Sequence, residues 1–266
     1  MIPKVIHYCW FGHNPIPEKM RKCIESWKKY CPDYSIVCWN EENFDINMNS
    51  YVKTAYKNQK WAFVTDYARL WVIYNFGGFY LDTDVELLKP LDELRFHDVF
   101  FACEGKEFIS TGLGFGAVAN CQIIRDNMKV YEEMLFQSEE EFLNIKPCPY
   151  YTTKLLKDRG VQFPIRSVLK LENLVIYPNE YFNPYDWAGD RLKITKNTYS
   201  IHHYASSWMT KKEKQGVIEQ HYYNIYKRKF GKRIADIWSY LYWNKKENGG
   251  EGIIKVLMRR MLKGKG

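Results

Sequence analysis

No stretch of this 266-residue chain approaches the ~20 consecutive apolar positions that a membrane-spanning helix needs. No secretory leader is expected, because Met1-Ile2-Pro3-Lys4 runs straight into a strand-like segment. The expected compartment is therefore that of synthesis, the cytoplasm. The seven cysteines, at 9, 23, 31, 38, 103, 121 and 148, are odd in number and contain no Cys-x-x-Cys pair. They read as reduced, packed thiols, which excludes a disulfide frame and a cysteine zinc site. Neither an internal repeat nor a long linker interrupts the chain. A basic excess is absent from most of its length as well. Residues 1–210 carry a net charge of −2, whereas residues 211–266 hold 15 Lys and Arg against 5 Asp and Glu. The formal net charge of +8 thus belongs to the tail. That asymmetry suits an anionic surface partner. It does not argue for nucleic acid, because no nucleic-acid motif accompanies it.

What is present is globular: 46% hydrophobic and 26% charged residues, enough for one α/β domain with appended helices. Lys4–Trp10 reads as a buried first strand, and 17–29 as a helix with Pro17 in its first turn. Ser35–Trp39 reads as a second strand, giving the strand–helix–strand opening of a parallel nucleotide-binding sheet. Trp61–Phe76 is so densely apolar that it predicts a largely buried helix. Further strands are expected at 85–88, 99–103, 174–177 and 199–203, with a glycine-broken one over 109–119. Helices are expected over 122–136 and 150–158, and the remainder is expected to be chiefly helical.

The segment Phe76-Gly77-Gly78-Phe79-Tyr80-Leu81-Asp82-Thr83-Asp84 concentrates the chemistry. A glycine pair lets the backbone turn sharply and deliver two carboxylates to a strand end. Side chains two apart on an extended segment point the same way, roughly 6.5–7 Å apart at the backbone, a spacing suited to one hard cation or to a cation and a ribose. The flanking Tyr80, Leu81, Val85, Leu87 and Leu88 are apolar, and carboxylates in such a setting need partners. Asp66 and Arg69 lie three apart on the buried helix, hence on one face, an acceptor and a donor side by side. Ile201-His202-His203-Tyr204-Ala205-Ser206-Ser207-Trp208 adds imidazole and hydroxyl groups after a late strand.

In order along the chain stand Ile2-Pro3-Lys4-Val5-Ile6-His7-Tyr8-Cys9-Trp10, Trp61-Ala62-Phe63-Val64-Thr65-Asp66-Tyr67-Ala68-Arg69, Gly77-Gly78-Phe79-Tyr80-Leu81-Asp82-Thr83-Asp84 and His202-His203-Tyr204-Ala205-Ser206-Ser207-Trp208. This series resembles the family 32 glycosyltransferases, the DXD-containing sugar-binding group. Its layout is also similar to the catalytic domains of the clostridial glucosylating toxins and to the Och-type mannosyltransferase. The resemblance implies a GT-A fold, a mixed and mostly parallel central sheet flanked by helices, over residues 1–210, with a helical C-terminal extension over 211–266. It implies transfer with retention, a nucleotide-sugar donor and Mn²⁺ or Mg²⁺. By the same resemblance Trp10 stacks on the base, Asp66 and Arg69 hold the donor sugar's hydroxyls, and Tyr80 lines its pocket. Asp82 contacts ribose and reaches the metal through water, Asp84 is the direct ligand, and His203 stands where the toxins carry an acidic ligand. Ser206 and Trp208 close over metal and diphosphate, with Ser207 an alternative to Ser206.

The expected reaction moves a hexose from UDP-galactose or UDP-glucose, or mannose from GDP-mannose, to a surface polysaccharide or a polyprenyl-diphosphate-linked oligosaccharide. A non-catalytic carbohydrate-binding protein is the competing class. Ser110-Thr111-Gly112 and Pro149-Tyr150-Tyr151-Thr152 read equally as acceptor-facing loops or as turn and cap chemistry. In the tail, apolar residues at 253/254, 257/258 and 261/262 share one helical stripe opposite Lys and Arg. Two readings stand there: an interfacial helix at the inner face of the cytoplasmic membrane, or a helix packing onto the domain or a second subunit.

Overall fold

The run Val-Ile-His-Tyr-Cys forms β1 (Val5–Cys9), and Ser-Ile-Val-Cys-Trp forms β2 (Ser35–Trp39), paired in parallel from Val5↔Ser35 to Cys9↔Trp39. Between them α1 (Glu18–Tyr30) buries Met20, Cys23, Ile24 and Trp27, spaced to share one helical face. The computed structural model describes residues 1–136, 141–142, 145–186, 191–205, 215–216, 239 and 241. The chain divides into two compact units, Met1–Ala205 and Ser206–Gly266. The described residues of the second unit, at 215, 216, 239 and 241, are helical, and the stripe over 253–262 lies outside the described residues.

Two helices follow β2. α2 (Ser50–Lys57) was not anticipated from its eight residues, although Asn49 marks its start by accepting the Val52 N–H at 2.9 Å. α3 (Trp61–Phe76) has the expected bounds and buries eight residues, Asp66 and Arg69 among them. Beyond it come β3 (Gly78–Tyr80), β4 (Val85–Leu87), β5 (Val99–Glu104), β6 (Phe108–Ile109), β7 (Phe115–Ala117) and α4 (Gln122–Glu132). Then follow α5 (Cys148–Asp158), β8 (Leu169–Leu171), β9 (Leu174–Tyr177), α6 (Asn179–Phe182), β10 (Tyr185–Asp186), β11 (Arg191–Leu192) and β12 (Ser200–His202).

The main sheet has the order β2-β1-β3-β7-β5-β9-β8, with β6 added to β5. β1, β2, β3, β5 and β9 run one way, and β6, β7 and β8 run against them. It is thus the mixed, mostly parallel α/β sheet expected. Alternation splits the core into two layers. Val99, Phe101 and Cys103 of β5 join the layer under α2–α5, while Phe100 and Ala102 join the layer with α1 and β4. The expected strand over 109–119 is two short ones, because residues 110–114 leave the sheet to cross beneath Asp82.

The turn from α3 into β3 needs its glycines. Gly77 and Gly78 have φ of 64° and 105°, and a Cβ on Gly78 would stand 2.7 Å from the Val5 carbonyl oxygen. His7 locks this turn. The Trp39 Nε1–H donates to His7 Nδ1 at 3.0 Å, so the neutral ring carries its proton on Nε2, 3.0 Å from the Gly77 carbonyl oxygen. Burial pushes the His7 pKa from 6.5 down to about 4. Between those values the unfolded chain takes up a proton that the folded chain refuses, so stability falls as pH drops through that window. Urea unfolding at pH 7 and pH 4.5 is expected to show a His7-dependent loss of up to about 3 kcal/mol, absent from the same comparison on His7→Gln.

Candidate metal and ligand site

The sheet order itself marks a place. From β1 the chain leaves to β2 on one side and returns to β3 on the other, so the order reverses at β1 and the carboxyl ends of β1 and β3 lie side by side. Ligands of open α/β sheets bind at such a switch point. Trp10 directly follows β1 there, half-buried, with its backbone N–H on the Trp39 carbonyl and its indole N–H on the Asn14 carbonyl at 2.5 Å. Asp82 and Asp84 follow β3. They lie in a turn, closed by the Val85 N–H on the Asp82 carbonyl at 3.0 Å, instead of on an extended strand end.

Arg69 organises the floor. Its Nη2 lies 3.3 Å from Asp66 Oδ1 and 3.4 Å from Asp82 Oδ1. Its Nε donates to the Thr65 carbonyl, its Nη1 lies 3.3 Å from Thr111 Oγ1 and 3.7 Å from Cys148 Sγ, and Tyr80 lies under the guanidinium at 5.1 Å. The Tyr80 hydroxyl donates to Asp82 Oδ1 at 2.9 Å. The pair on α3 therefore faces inward, not toward solvent. One cation serves two carboxylates, and their titration reflects that. Burial raises Asp66 to about 6 against the pull of Arg69, with Asp82 adding to the rise. Asp82 is raised as well, by burial, with Arg69 opposing.

Asp84 has a different setting. Its Oδ1 lies 3.1 Å from His202 Nε2, and its Oδ2 accepts the Ala205 N–H at 2.8 Å. Burial pushes this carboxyl up, but His202 and the Ala205 N–H outweigh it and hold the pKa at about 2. Ligand atoms of Asp82, Asp84 and His202 all lie within 4.8 Å of one another. Two ligands at right angles on a cation at about 2.1 Å stand about 3 Å apart, close to the Asp84–His202 separation. His202 Nδ1 is buried with no hydrogen-bond partner among the described residues. Two hard carboxylates and an imidazole make a donor set that fits Mn²⁺ or Mg²⁺.

The imidazole in this group is not the expected one. His203 points elsewhere, its Nε2 2.8 Å from Glu86 and its side chain 46% exposed. The ladder decides this: His202 pairs with Val85 in the β12–β4 register, and the next residue faces the other side. Ser206, Ser207 and Trp208 lie outside the described residues.

Gly112, expected in an acceptor-facing loop or a turn, lies against Asp82, and two further residues, Cys148 and Glu104, carried little signal in the sequence. Gly112 admits no side chain, since a Cβ would stand 2.2 Å from Asp82 Oδ2. Cys148, read only as a packed thiol, contacts both Arg69 and Thr111. Glu104, the single charge ending the apolar run of β5, lies near enough to Tyr204 and His202 for its charge to act on both. That lone terminal carboxylate was the one available clue.

Residues 17–101 match the family model described as glycosyltransferase sugar-binding region containing DXD motif. Inositol phosphoceramide mannosyltransferase 1 of Schizosaccharomyces pombe is 32% identical over 104 residues, which are 35% of this chain and 31% of that protein. The chain thus matches about a third of that relative's length. An uncharacterized glycosyltransferase, L373, of Acanthamoeba polyphaga mimivirus is 24% identical over 196 residues, 69% of this chain and 76% of that one. Among solved structures the PaToxG glycosyltransferase aligns with 20% identity and a TM-score of 0.47, over 59% of this chain and 70% of that one.

The two histidines separate by experiment. In a Mn²⁺ titration followed by electron paramagnetic resonance, His202→Ala is expected to weaken binding about tenfold or more, and His203→Ala to leave it near that of the unsubstituted chain. The opposite order would return the ligand role to His203.

Proposed function

We propose, because residues 17–101 match the model of glycosyltransferase sugar-binding regions containing the DXD motif, that the protein is a metal-dependent retaining glycosyltransferase that moves a hexose from a nucleotide sugar to an acceptor hydroxyl. The observation that carries this reading is the unbroken line Asp66–Arg69–Asp82, continued by Asp84 and His202, at the carboxyl ends of the strands. A sugar-binding protein needs hydroxyl-reading groups. It does not need a cation site beside them.

In this reading Asp82, Asp84 and His202 hold Mn²⁺ or Mg²⁺, and the ion, when bound, neutralises the diphosphate leaving group. Asp66 accepts from and Arg69 donates to the donor sugar's hydroxyls. Tyr80 lines the sugar pocket and fixes the Asp82 carboxylate through its hydroxyl. Trp10 offers a flat ring to the base. No described pair of carboxylates brackets a reacting bond in the manner of a glycosidase, so we favour displacement on one face. The bond from the anomeric carbon to phosphate breaks while the acceptor oxygen bonds the same face, and the acceptor's proton passes to the leaving phosphate oxygen. Configuration is retained. A trapped glycosyl-enzyme intermediate would contradict this.

Two donor classes are in play. The relatives named as inositol phosphoceramide mannosyltransferases favour GDP-mannose. The layout shared with the glucosylating toxins favours UDP-glucose or UDP-galactose. The acceptor is a saccharide hydroxyl, on a surface polysaccharide or a lipid-linked oligosaccharide. Residues 1–210 would form the catalytic unit, and the basic residues 211–266 would bring it to an anionic membrane surface carrying such an acceptor.

The test is donor cleavage by water across UDP- and GDP-sugars with Mn²⁺. One donor is expected to be cleaved, with loss of about 10²–10³ in rate on Asp84→Ala and loss on chelation. If no donor is cleaved and no nucleotide binds, the chain is a binding protein that has kept the fold without the chemistry.

A further inference from the structure

Glu104 and Phe108 face each other in the β5–β6 hairpin, and Cys103 faces Ile109 one step on. Directly opposed residues share a face, and successive pairs alternate faces. Cys103 and Ile109 are fully buried in the core, so the other face carries Glu104 and Phe108, and Phe108 is 46% exposed. A single exposed apolar side chain is ordinary. An exposed ring beside a carboxylate, at the rim of this site, is not.

Two connections tie that face to the site. On one side the Tyr204 hydroxyl accepts from Asn183 Nδ2 and the Tyr204 ring lies 4.2 Å from the His202 ring, with Glu104 near enough to both for its charge to act on them. Tyr204 holds this position with a φ of 47°, a left-handed conformation that a bulky residue keeps only where its surroundings demand it. On the other side β6 runs directly into the segment under Asp82, and the Gly112 carbonyl accepts the Asp82 N–H at 3.1 Å. Gly112 stands four positions after Phe108, a span of at most about 14 Å.

The chemistry of the pair selects its ligand. A carboxylate repels the diphosphate of a donor and accepts O–H groups from a neutral partner. An aromatic face takes up flat C–H surface, attracted to its negative quadrupole. A six-membered polyol ring presents both, a C–H face and a rim of hydroxyls. We propose that Glu104 and Phe108 form the acceptor subsite, taking a hexopyranose or inositol ring with its C–H face on Phe108 and a hydroxyl donating to Glu104. The subsite orients the acceptor toward the sugar held at Asp66 and Arg69, and so rests on the transferase reading.

The experiment compares the unsubstituted chain, Glu104→Gln, Phe108→Ala and Phe108→Tyr with the donor identified by hydrolysis. Acceptors are octyl α- and β-hexopyranosides in one arm and myo-inositol in the other, which distinguishes the two ring sources. Glu104→Gln and Phe108→Ala are each expected to raise the acceptor KM about tenfold more than any change in donor KM, and Phe108→Tyr to restore it. Equal shifts in both constants would mean a merely structural role and overturn the inference. So would an unsubstituted chain that cleaves donor yet glycosylates no ring of either arm. Absence of donor cleavage in the unsubstituted chain would instead remove the transferase reading beneath it.

Discussion

One guanidinium holds the centre of this molecule together. A buried carboxylate without a partner costs several kcal/mol, and Asp66 and Asp82 both look to Arg69 for theirs. The remaining N–H groups of Arg69 reach the Thr65 carbonyl, Thr111 and Cys148. α3, the turn after β3, the segment 110–112 and the start of α5 therefore converge on one side chain. Gly112 shows how tightly: its missing Cβ leaves room for an Asp82 oxygen. With two carboxylates on one cation, the floor keeps a surplus of negative charge. Asp84 has its own donors in His202 and the Ala205 N–H, and the two groups meet where Asp82 and Asp84 adjoin. A divalent cation placed there would offset that surplus, so the electrostatics and the donor set lead to the same ligand.

The fold was legible wherever a local pattern decided the outcome. α3 could be read to its end residues because nothing but burial on all sides explains so apolar a helix, and the inward placement of Asp66 and Arg69 followed from that. β2 and β9 were equally plain, being short apolar runs between turn residues. α2 was missed because eight residues carry too little periodicity, and only the cap at Asn49 announced it. The segment 109–119 read as one strand because its apolar residues continue through the glycines. Its excursion at 110–114 is set by hydrogen bonding to Asp82, thirty residues earlier in the chain.

The site was legible in its residue types and less so in its register. Two adjacent histidines differ only in which face of β12 they occupy, and that is fixed by pairing with Val85 over a hundred residues away. The Asp-x-Asp pair was expected on an extended segment, yet it forms a turn, and the carboxylates still converge because the turn folds them to one side. Glu104 and Cys148 carried almost no local signal. One ends a strand and the other looks like core, and only the packing of distant elements brings Cys148 to Arg69 and Glu104 toward the rim. The part of the site where charge must be balanced was thus easier to anticipate than the part built by distant packing.

The most direct test of the account is the unfolding free energy of Arg69→Met alone and combined with Asp66→Asn, measured in urea. The single substitution strands two carboxylates and should cost about 3–5 kcal/mol. Adding Asp66→Asn removes one stranded charge, so the double variant should recover at least about 1 kcal/mol of that loss. Strictly additive losses, or an Arg69→Met variant as stable as the unsubstituted chain, would show that the two carboxylates do not depend on a shared cation.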